Sequence, residues 1–84
     1  MFVAAQVGIY PLRQTHLSPA IDRAQAAFRA EGLDVRPGPM STIVSGEDEA
    51  VFRALREVFR ETALKAETVM TVTVSNACPV PEAG

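Results

Sequence analysis

The stretch LDVRPGPMSTIVSG, residues 33–46, decides the architecture, because two short β segments stand in it back to back. LDVRP (33–37) has the composition of a short strand, and STIVSG (41–46) reads as a second one. The glycine and proline of GPM (38–40) supply the turn between them. A hairpin at the middle of an 84-residue chain splits it into two halves. The fold then depends on what stands on either side.

Upstream, VAAQVGIY (3–10) alternates, with Val3, Ala5, Val7 and Ile9 on one face and Ala4, Gln6, Gly8 and Tyr10 on the other. That is the pattern of a half-buried strand, ended by Pro11. LSPAIDRAQAAFRAEG comes next with the punctuation of a helix: Ser18 as N-cap, Pro19 in the first turn and Gly32 just past the end. Leu17, Ile21, Ala24 and Phe28 fall at helical spacing on one side.

Downstream, the acidic triplet Glu47, Asp48 and Glu49 suits the positive end of a helix dipole. Val51, Phe52, Leu55, Val58 and Phe59 then predict a broad apolar stripe on a second helix. VMTVTVSN alternates again, Met70, Val72 and Val74 against Thr71, Thr73 and Ser75. The order is βαββαβ. Right-handed crossovers convert it into an α+β, ferredoxin-like sandwich: a four-stranded antiparallel sheet in the order 4-1-3-2, with both helices on one face. One domain is expected over residues 1–79, with a flexible tail over 80–84. The other sheet face then carries Gln6, Tyr10, Thr71, Thr73 and Ser75 around a dent at Gly8. An uncovered face on so small a chain predicts a homodimer or homotetramer built through it.

Composition removes several classes of function. The formal charge is −2, with both signs mixed along the helices, so there is no basic stripe for nucleic acid and no polybasic membrane patch. No apolar run reaches the ~20 residues of a membrane span. A single cysteine and the lack of a signal-peptide pattern predict a cytoplasmic protein. One histidine, His16, and one cysteine, Cys78, far apart in the chain, do not make a metal site, and none is expected. No glycine-rich loop opens either helix, so phosphate-loop and dinucleotide chemistry are excluded, and no cofactor is expected. Arg13 lies in a loop without the glycines that a backbone phosphate cradle needs, which argues against an acylphosphatase.

Cys78 is expected to be an inert thiol, because the carboxylates near residue 47 would raise its pKa. Topology sorts the remaining polar residues into two ends of the sheet. Tyr10 is predicted beside Ser41 and Thr42, with Asn76 and Cys78 at the opposite end, near the start of the second helix.

Four segments taken together, AQVGIYPL, GPMSTIVSG, VFRALREVF and VMTVTVSNACP, resemble the thiamine-binding, YkoF-like family of ferredoxin-fold proteins over about residues 4 to 79. The resemblance implies a non-enzymatic protein that binds thiamine or its hydroxymethylpyrimidine moiety and is linked to uptake or handling of the vitamin. Family members with two tandem units differ from this single-unit chain, so the resemblance also implies assembly of several copies. The residues it assigns to ligand contact are Gln6, Tyr10, Ser41, Thr42, Asn76 and Cys78. Two alternatives share the architecture: an amino-acid-sensing module of the ACT type, and an oligomeric interaction protein without a small ligand.

Overall fold

A computed structural model describes residues 1–39 and 41–77. The elements run β1 (Phe2–Pro11), α1 (Ser18–Ala30), β2 (Asp34–Pro37), β3 (Thr42–Glu47), α2 (Asp48–Ala63) and β4 (Thr68–Ser75). The sheet order is β2-β3-β1-β4, and every neighbouring pair is antiparallel. The ferredoxin-like order expected from the sequence is therefore the observed one, read from the opposite edge.

β1 is a central strand. Val3, Ala5, Val7 and Ile9 are all buried towards the helices, as their alternation requires. Phe28 from α1, Val44 from β3 and Val51 from α2 meet them and are the largest fully buried side chains. Helix α1 starts one residue earlier than its punctuation predicts. Ile21 N–H bonds to the Leu17 carbonyl at 3.1 Å, which makes Leu17 the N-cap and Ser18 the first helical residue.

Helix α2 is rotated relative to the expected stripe. Ala54 is buried with Val51, Leu55 and Val58, while Phe52 and Phe59 remain 54% and 38% exposed. The small Ala54 lets the helix lie close to the sheet, and the two bulky rings stay at the margin. Its N-terminus is closed by the far end of the chain: Asp48 N–H donates to the Met1 carbonyl at 2.8 Å. The Met1 ammonium donates to Glu47 Oε1 at 3.0 Å and to Asp48 Oδ1 at 3.3 Å. Those bonds raise the amine's pKa, Glu47 contributing most, and the bond to the amine lowers that of Asp48.

β4 keeps the expected parity, since Met70, Val72 and Val74 pair with Ile9, Val7 and Ala5 of the helix-facing set. Val72 and Val74 are nevertheless 38% and 37% exposed. β4 is an edge strand, and two helices are too narrow a layer to cover it fully.

Gly32 ends α1 with φ of 80°, the left-handed conformation that closes a helix C-terminus. A Cβ there would meet no atom within 4 Å, so a substitution is limited by the backbone alone. Gly32→Ala is expected to lower unfolding free energy by about 1–2 kcal/mol, the usual penalty for a side chain in this region. Urea denaturation checks this, with the slope m unchanged and the midpoint lower.

Candidate functional site

The site is created by a mismatch of strand lengths. The β1–β3 register ends at Val7↔Thr42, whereas β1 continues against β4 as far as Pro11↔Thr68. Beyond Val7, one side of β1 therefore borders a notch instead of a strand. Helix α1 roofs the notch with Leu17, Ile21, Ala24 and Phe28, and the β2–β3 turn closes it with Gly38, Pro39 and Ser41. The resulting cavity, partly open to solvent, is about 190 Å³. No charged side chain lines it among the described residues.

The polar groups at the cavity come from three sources. Ser41 Oγ accepts a hydrogen bond from Gln6 Nε2 at 3.0 Å, so Gln6 orients the hydroxyl from the open sheet face. Thr42 is buried on the helix side, and its Oγ1 accepts from Gln25 Nε2 at 3.4 Å. The third source is backbone. Leu12 N–H donates to the Glu67 carbonyl at 2.7 Å, just beyond the β1–β4 register. Alternation along the antiparallel ladder then turns the N–H and C=O of Ile9 away from β4, towards the side on which β3 has ended.

Tyr10 forms one wall. Its ring folds back over Gly8: a Cβ at position 8 would lie 2.7 Å from the Tyr10 hydroxyl and 2.9 Å from Thr71 Oγ1. The dent expected at Gly8 is thus filled by the tyrosine two residues later, which only a residue without a side chain permits.

The structure brings Gln6, Tyr10, Ser41 and Thr42 together and separates Asn76 from them. Ser75 pairs with Ala4 and Val69 with Tyr10, so Asn76 lies about 20 Å along the sheet from the tyrosine at strand spacing. It sits at the Met1 end, with Nδ2 3.6 Å from Met1 Sδ. The local turn is made by Ser75, whose Oγ accepts from Ala77 N–H at 2.9 Å. Cys78 lies outside the described residues, as does the tail expected over 80–84.

Sequence reasoning missed Gln25 as the partner of Thr42, and it missed Leu17, Ile21 and Val58 as cavity lining. The last three were legible only as core. A helix face that packs on a complete sheet and one that roofs a notch have the same spacing, and only the strand lengths separate them.

No curated protein sequence matches the chain. Solved structures do share its fold. A hypothetical protein from Methanocaldococcus jannaschii aligns over 95% of this chain and 84% of its own, at 21% identity and a TM-score of 0.84. A Streptococcus pneumoniae protein aligns over 99% and 90%, at 21% identity and a TM-score of 0.80. A putative thiamine biosynthesis/salvage protein from Thermotoga maritima aligns over 88% and 82%, at 25% identity and a TM-score of 0.77. The model of the thiamine-binding protein family matches residues 5–76, which include both strands and the turn that build the notch. The chain belongs to the thiamine-binding protein family.

Proposed function

We propose that this protein is a non-enzymatic binder of thiamine or its hydroxymethylpyrimidine moiety, held in the notch beside β1 and serving uptake or handling of the vitamin. Membership of the family supports the ligand class. The observation that carries the site is an uncharged cavity with Tyr10, Ser41 and Thr42 in its lining. An aminopyrimidine has ring nitrogens that accept and an exocyclic amine that donates. The Ser41 and Thr42 hydroxyls offer complementary groups in an apolar surround. The Tyr10 ring provides a face for the heterocycle or for the thiazolium cation. Groups of this kind act by specificity, because a ligand lacking the matching atoms leaves them unpaired.

The same reading includes assembly into a dimer or tetramer through the open sheet face, in a cytoplasmic setting consistent with the lone cysteine. Ile43 and Val69 are exposed on that face at 43% and 47%, beside Thr71 and Thr73. Within one chain the ligand site comprises Gln6, Tyr10, Ser41 and Thr42. Asn76 and Cys78 enter it only if a second copy supplies them.

Isothermal titration calorimetry with thiamine, hydroxymethylpyrimidine and a panel of amino acids tests the assignment. Binding of either pyrimidine compound, with none of the amino acids, is the expected result. Amino-acid binding alone would replace it with the ACT-type reading.

Ser41→Ala is expected to weaken binding by roughly 1–3 kcal/mol, about ten- to a hundredfold, through loss of one buried hydrogen bond. Asn76→Ala is expected to leave affinity unchanged. A tenfold loss there would place a second copy's Asn76 in the site.

For the assembly, light scattering should give two or four times the 9.0 kDa chain mass. Thr73→Lys, which puts a charge on the open face, should shift it towards monomer. A wild-type monomer at tens of micromolar would remove the assembly from the proposal.

A further inference from the structure

On the far side of the β1–α1 junction lies a second cavity, of about 130 Å³, with the opposite electrostatic character. Gln14, His16, Arg23 and Lys65 line it together with small and apolar residues. No carboxylate lines it among the described residues. Among the described residues Arg23 and Lys65 form no ion pair, and neither do Arg29 and Arg60 elsewhere on the helices, while Arg13, Arg36, Arg53 and Arg56 are paired; what sets Arg23 and Lys65 apart is that they line one cavity. Convergence of two unpaired cations and an imidazole on one concavity is unexpected in a chain whose net charge is −2.

We propose that this cavity is a binding site for a small phosphate-bearing anion. Arg23 projects from the first turns of α1, and Lys65 stands just past the end of α2, held by its N–H to the Thr62 carbonyl at 3.0 Å. Their positions, one on α1 and one in the segment after α2, let the anion bridge charges that would otherwise repel across the cavity. Guanidinium and ammonium to phosphate oxygen are charge-assisted hydrogen bonds, about twice as strong as neutral ones. Gln14 and His16 add N–H donors from the intervening loop. The first turn of α1 carries no acidic residue, and Asp22, in the turn after it, does not line the cavity.

The volume fits one phosphate group, which makes a monophosphate or the terminal phosphate of an ester the matching class. The site is separate from the uncharged notch, although the two share a wall: Tyr10 and Ile21 face one, Pro11 and Ala20 the other. The inference stands on the cationic lining and does not depend on what the notch binds.

Titration of the ¹⁵N-labelled protein with inorganic phosphate, against sodium chloride at equal ionic strength, tests it. Saturable shifts of the Ala20 and Ala66 amides with phosphate and none with chloride are expected. The double variant Arg23→Gln/Lys65→Gln should weaken the interaction about tenfold or more, each single variant less. A control with Arg29→Gln/Arg60→Gln removes the same number of charges elsewhere and should retain binding. Non-saturable shifts, equal shifts with chloride, or equal losses in both double variants would overturn the proposal. Thiamine titration of the same variants reads the notch independently, so failure of one site is not mistaken for failure of the other.

Discussion

A slip of β1 by one residue would turn Val3, Ala5, Val7 and Ile9 out of the core and put Ala4, Gln6, Gly8 and Tyr10 in their place. That constraint fixes most of the remaining structure. β1 pairs on both sides, so β3 and β4 take their registers from it, and the helices pack on whichever face it presents. The open face then receives Gln6 beside Ser41 and Gly8 beneath Tyr10. The notch is a product of the same register, for it exists only because β3 begins opposite Val7 while β1 still has four residues to run.

Periodicity and punctuation made the element order legible, because each is a local property. The hairpin at Gly38 and Pro39, the glycine after α1 and the alternation of β1 each speak for themselves. Burial was less legible because it depends on neighbours. The α2 segment offers apolar residues over more than half its circumference, and its own pattern does not say which edge meets the sheet. Packing chose Ala54 over Phe52, since the smaller residue lets helix and sheet approach. In β4 the parity was right and the coverage was not, because a strand's alternation carries no information about the width of the helical layer above it.

The candidate site shows the same division. Tyr10, Ser41 and Thr42 could be grouped from strand directions alone, and the structure places all three in the cavity lining. The same strand directions put Asn76 at the other end of the sheet, where the structure has it beside Met1. Gln25 was invisible because a glutamine on a helix reads as solvent-facing until its partner is known. The surface ion pairs, such as Arg53 with Glu31, are exposed and contribute little to stability.

Tyr10 is the only tyrosine in a chain without tryptophan. Its ring lies against Gly8 and forms a wall of the cavity. The four phenylalanines contribute only at the short-wavelength end of the near-ultraviolet, so the long-wavelength circular dichroism and the tyrosine emission of the folded protein originate from one side chain at one place. Most proteins average such signals over many chromophores, and a site must be labelled before it can be watched. Here the optical spectrum is already a local probe, and changes in it report on the environment of this wall without any modification of the molecule.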